Sequence, residues 1–165
     1  MAELFTHVVV GYILATMLSW RLSWITPPLV TVAMVGAVIP DLNRMELLIS
    51  EVTIQTTLGI PFSWMSFHRV GGTLVVIAMG ALLVPARLRR AVLAMALLGA
   101  GSHYLLDFFL YNPSGLASPL FWPLTGARFQ IEGFYLSTDW WPAVVSTIVG
   151  VSIWYVDRHQ SPTSN

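Results

Sequence analysis

The sequence predicts an all-α integral membrane protein with about five transmembrane helices and a re-entrant or interfacial loop. Three observations predict it. Of 165 residues, 56% are hydrophobic and only 10% are charged, and the mean hydropathy is +0.72. Soluble domains carry about 25% charged residues, and one soluble core of this size could not hide so much apolar surface. Apolar runs also recur along the chain at lengths near the roughly 20 residues that a helix needs to cross hydrocarbon. Finally, residues 112–139 set Pro113, Gly115, Pro119, Pro123 and Gly126 among Leu, Phe and Trp. An apolar loop broken in this way suits the membrane interface, or a re-entrant segment packed on protein.

The first run covers residues 4–24 and is interrupted by Arg21. It lacks a basic leader and already carries His7, so it reads as a retained helix rather than a cleaved signal. The second follows Pro27-Pro28, a favourable helix start, and runs to about residue 39, where Pro40 ends it. The third covers residues 68–84, the fourth 89–111 and the fifth 140–156. The connection 41–67 mixes polar and apolar residues, with Gly59 and Pro61 as breakers. No internal repeat or domain boundary is visible, so residues 1–158 read as a single transmembrane helical domain. Residues 159–165, HQSPTSN, read as a frayed polar tail.

Charge is balanced, with eight basic and eight acidic residues, and every basic residue is arginine. No basic tract points to nucleic acid. Five alternating helices would place Arg21, Arg87, Arg89, Arg90 and Arg158 on one side. Arg44, Arg69 and Arg128 fall on the other, with most of the acidic residues. The positive-inside rule then puts the N-terminus outside and the C-terminus in the cytoplasm of a cell membrane.

Five residues stand out against this background: His7, Asp41, His68, His103 and Asp107. All fall toward the outer ends of predicted helices. A charged group in lipid costs roughly 3 kcal/mol or more. His103 and Asp107 are spaced i, i+4 and share one helix face, so both can reach one ion. A divalent cation would neutralise the carboxylates and hold the imidazoles neutral. His and Asp ligands in a chain without cysteine suit zinc, and manganese or iron less distinctively. Each residue also has an ordinary reading. His7 could be an interfacial residue and Asp41 a helix terminator. His68-Arg69 could be an outer-face pair, and His103 and Asp107 could hydrogen-bond without metal. The convergence of all five on one side favours a metal, with one or two ions. Ser102, Ser114 and Ser118 lack a serine-hydrolase context. Gly71-Gly72 suits close helix packing, and Trp140-Trp141 suits an interfacial belt.

The stretches THVVVG, IPDLN, FHRVGGT and GSHYLLDFFLYNPSGLASPLFWPL, in that order over most of residues 5–125, resemble the YdjM/DUF457 family. Its members are small inner-membrane proteins described as metal-dependent hydrolases. The ordered set His, Asp, His, His-x-x-x-Asp is also similar to part of the ligand order in zinc-dependent phospholipase C and P1-type nucleases. That likeness implies one ion held by Asp41, His68, His103 and Asp107, with His7 joining Asp107 at a second. The chain departs from the family at Asn43, where a second aspartate is usual, and near Thr73 and Leu74, where a second histidine is usual.

The expected activity is hydrolysis of a lipid phosphoester or similar amphiphile at the outer face. Asp41 would orient water and Arg69 would stabilise the developing anion. The alternative is a non-catalytic scaffold or accessory subunit with a structural metal site, working with partner membrane subunits or as a homo-oligomer. An ion or proton conductor fits less well, because the cytoplasmic half offers no continuing polar relay.

Overall fold

The computed structural model describes residues 2–111, 119–122, 124–127 and 133–160. Among the described residues the chain forms seven α-helices and one 3-10 helix. They are α1 (Ala2–Ser19), α2 (Pro27–Gly36), the 3-10 helix (Ile39–Leu47), α3 (Glu51–Leu58), α4 (Met65–His68), α5 (Val70–Leu82), α6 (Ala86–Phe108) and α7 (Trp141–Gln160). Among these residues no strand forms beyond one isolated bridge between Leu110 and Tyr135.

The expectation of about five spanning helices is corrected: among the described residues one helix, Ala86–Phe108, is long and apolar enough to cross a membrane. At a rise of 1.5 Å per residue, the 23 residues of α6 reach about 35 Å. The ten of α2 reach only about 15 Å and the thirteen of α5 about 20 Å, against a hydrocarbon core of about 30 Å. Hydropathy counted apolar residues that the backbone does not keep in one helix. The first run breaks at Ser19, well before residue 24. The second stops at Gly36, and the third begins at Val70 because Arg69 is extended (φ −84°, ψ 145°). The connection 41–67 proves helical in three pieces. The predicted interfacial loop lies partly outside the described residues, at 112–118, 123 and 128–132, and so does the tail at 161–165.

α6 is the hub. It packs on α1, α2 and α5, while α7 packs on α1. The interior mixes alanines with larger apolar residues: Ala15, Ala33 and Met95 with Ile25 and Leu29 form one cluster, and Ile77, Ala96 and Ala100 another. Glycine lets the α2 and α6 backbones touch. A Cβ on Gly99 would run into the Ala33 carbonyl and sit 2.6 Å from the Ala37 nitrogen. A Cβ on Gly36 would collide with the Ala96 carbonyl and lie 2.8 Å from its Cα. In lipid, helices associate through such close packing because apolar burial supplies little drive.

Two glycines of α6 make the test. Gly99→Ala presses a methyl into backbone that cannot yield, and should cost at least the roughly 1–3 kcal/mol of an overpacked core. Gly101 faces open space, so Gly101→Ala should leave stability unchanged or raise it by up to about 1 kcal/mol through helix propensity. Thermal unfolding in detergent should separate the two variants, and equal melting points would refute the close α2–α6 contact.

Candidate metal centre

The three histidines come from separate elements, and backbone carbonyls orient two of them. His103, on α6, is 1% exposed. Its Nδ1 lies 2.8 Å from the Ala37 carbonyl at the end of α2. A carbonyl can only accept, so Nδ1 carries the proton and Nε2 faces inward as a lone pair in the neutral ring. The close α2–α6 contact at Gly99, one turn earlier on the same face, brings that carbonyl within reach. His68, the last residue of α4, repeats the pattern: its Nδ1 is 3.2 Å from the Pro40 carbonyl. His7, on α1, stacks its ring on His103 with centroids 3.9 Å apart.

All three Nε2 atoms converge on one carboxylate. His7 Nε2 is 3.3 Å from Asp107 Oδ1, and His68 and His103 Nε2 are 3.2 and 3.1 Å from Asp107 Oδ2. Two groups have ligand atoms all within 4.8 Å of one another: His7, His103 and Asp107, and Asp41, His68 and His103. They share His103. Asp41 opens the 3-10 helix behind Pro40, where a carboxylate suits the positive end of the backbone dipoles. One of its oxygens, Oδ1, accepts from Arg44 Nε at 2.9 Å. The other, Oδ2, is buried with no hydrogen-bond partner among the described residues.

The electrostatics ask for a positive charge at the centre. Lone pairs facing a carboxylate repel unless a proton or a cation lies between them. Charge-assisted N–H···O contacts usually measure about 2.7–2.9 Å, shorter than those seen here. Ligands at about 2.0–2.1 Å from a tetrahedral metal lie about 3.3 Å apart, which matches. His103 Nε2 also has no hydrogen-bond partner, although it lies 3.1 Å from Asp107 Oδ2. Buried polar atoms are normally paired, and an unpaired one costs about 1–3 kcal/mol. Of the unpaired atoms, His7 Nδ1, Asp41 Oδ2, Asn43 Oδ1, Arg69 Nε and His103 Nε2 belong to the two groups or lie within two residues of them, and Thr16 Oγ1 does not. The donor set therefore fits a divalent ion, and the two His/Asp groups could chelate one. Burial pulls the His68 imidazole down, but the hydrogen bond and charge of Asp107, the Pro40 carbonyl and the Asp41 charge outweigh it, so its pKa is raised. A metal ion and a proton compete for such an imidazole.

Several supporting residues escaped the sequence reading. Arg44 holds Asp41. Tyr104 lies 2.6 Å from the Thr73 hydroxyl and donates to the His68 carbonyl at 3.2 Å, and Thr73 donates to the Phe67 carbonyl at 2.7 Å. This network fixes the break that turns His68 inward, at the place where the family motif has its second histidine nearby. A tyrosine one residue after a candidate ligand was the available signal. Arg69 is set apart from the histidine contacts, its guanidinium over the Trp122 ring at 4.5 Å.

The family model of the YdjM inner membrane protein matches residues 1–163, and the chain belongs to that family. No curated protein and no solved structure matches it. Family and apolar α6 together support a membrane location.

Zinc titrated into metal-free protein should bind, and His103→Gln should weaken binding most because His103 belongs to both groups. The loss should exceed the roughly 10–100-fold that follows removal of a mere supporting group. His159→Gln, next to Tyr155 on α7, is the control and should bind as wild type. Equal zinc affinity in the His103 and His159 variants would count against a metal at this centre.

Proposed function

We propose that this YdjM-family protein is a membrane-embedded, metal-dependent hydrolase that acts on a lipid phosphoester or similar amphiphile at the outer membrane face. The observation that carries the reading is the meeting of three imidazole Nε2 atoms at the Asp107 carboxylate, with Asp41 in a second ligand group that shares His103. His7, Asp41, His68, His103 and Asp107 would hold one or two divalent ions, zinc by donor type. Such an ion supplies Lewis acidity, activating water near neutral pH and polarising a phosphoryl oxygen.

The chain's own residues supply the rest. Ala37 and Pro40 hold two imidazoles with Nε2 inward. Arg44 fixes the orientation of Asp41, leaving Oδ2 to bind or to accept a proton from water. Arg69, beside His68, would meet the negative charge that develops on the phosphoryl group. The positive-inside rule places the cluster outside, since Arg87, Arg89 and Arg90 lie at the opposite end of α6. Asn43, where the family has an acid, favours one rival: a scaffold or accessory protein with a structural metal site.

Two experiments test this. Release of phosphate or headgroup from mixed lipid vesicles by zinc-loaded protein should be abolished by chelator. Asp41→Asn should lower it by about 10²-fold or more, the scale of removing a positioned acid–base group, while the helices stay folded. Folded, zinc-bound wild type without chelator-sensitive release would leave the scaffold. For orientation, single cysteines at Ala2 and Ala86 are probed on intact cells with an impermeant thiol reagent. Labelling is expected at Ala2 alone, and labelling only at Ala86 reverses the topology.

A further inference from the structure

Arg69 occupies the extended break between α4 and α5, one residue beyond His68. Its guanidinium carbon lies 4.5 Å from the centroid of the Trp122 ring. Its Nε is buried and has no hydrogen-bond acceptor among the described residues. The segment carrying Trp122 is fixed to the same break: the Val70 N–H donates to the Leu120 carbonyl at 2.9 Å. Within that segment the Trp122 and Leu124 amides donate to the Pro119 and Phe121 carbonyls at 3.2 and 2.8 Å, which closes a compact turn.

A guanidinium attracted to an aromatic face is held by that face, and its N–H donors remain directed in its own plane. The contact with Trp122 therefore orients Arg69 without satisfying Nε. In the cluster that His68, one residue earlier, belongs to, Asp41 Oδ2 and His103 Nε2 are buried acceptors without hydrogen-bond partners. Acceptors call for a cation and the arginine donor calls for an anion. Both needs are met by a cation in the cluster together with an oxyanion on Arg69. Trp122 is half-exposed and Arg69 partly exposed.

We propose that Arg69 and Trp122 form an oxyanion subsite beside the His/Asp cluster, taking a phosphate group, with Trp122 as the positioning residue that holds the guanidinium flat. The substrate role of that phosphate rests on the hydrolase reading, whereas binding of the anion does not require the metal. Phosphate chemistry has two sources, a lipid headgroup and free phosphate, and the test separates them.

Full-length protein in detergent is titrated calorimetrically with inorganic phosphate and with dioctanoyl phosphatidate, each with zinc and without. Wild type should bind at least one of them in both states. Arg69→Ala should abolish that binding. Trp122→Leu should weaken it roughly three- to thirty-fold, the range of a cation–π contact, and Trp122→Tyr should restore most of it. Arg69→Lys should fall between, because a point charge lacks the planar fork. Zinc affinity of each variant serves as the check on folding and should equal wild type. Binding of phosphatidate alone assigns the subsite to a lipid headgroup, and equal binding of both assigns it to phosphate as such. The subsite is overturned if a folded Trp122→Leu variant binds like wild type, or if wild type binds neither anion. Loss of zinc binding with retained, Arg69-dependent anion binding would instead overturn the hydrolase reading and leave the subsite standing.

Discussion

The His103–Ala37 hydrogen bond depends on the absence of a side chain one helical turn away. Gly99 and His103 lie on the same face of α6, and Gly99 lets the end of α2 settle against the α6 backbone. The Ala37 carbonyl then lies 2.8 Å from His103 Nδ1, across 66 residues of sequence. That bond fixes the tautomer and the ring plane, which sends Nε2 inward. His7 stacks on the ring so fixed, and Asp107 follows one turn later on α6. A backbone carbonyl as anchor does not depend on the side chain of the residue that offers it, because every residue, proline included, carries the same acceptor.

The cluster concentrates polarity among packed helices. Three imidazoles and two carboxylates are tolerable there only if their charges compensate within the group. Arg44 adds to the balance at its margin, on Asp41. The Tyr104–Thr73 hydroxyl pair performs the same service for exposed backbone, taking up carbonyls that the break between α4 and α5 leaves without helical donors. The break is what allows consecutive residues to serve different ends: His68 turns toward the carboxylates while Arg69 turns toward the aromatic ring.

Much of the chemistry was readable before any coordinates. Residue type and the i, i+4 spacing of His103 and Asp107 follow from helix geometry alone, and the isolation of His and Asp within apolar runs marks them as unusual. The number of spanning helices was not readable. Hydropathy sums apolar character over a window, but spanning needs a continuous helix, and continuity was lost at Ser19, Gly36 and Arg69. The segment 41–67 hid its helices for a related reason: they are short, and α3 buries none of its residues, so no periodic apolar stripe announces it.

The sequence by itself determined the membrane-compatible composition, the all-α class and the identities of the five polar residues, because these depend on local pattern and side-chain chemistry. Tertiary structure decided the pairing: three imidazoles on the Asp107 carboxylate, Arg44 on Asp41, the carbonyls of Ala37 and Pro40 behind two histidines, and Trp122 under Arg69. Most of those partners are far apart along the chain. Which of them meet is set by how closely two backbones can approach, and that distance is a property of the packed helices rather than of any one segment.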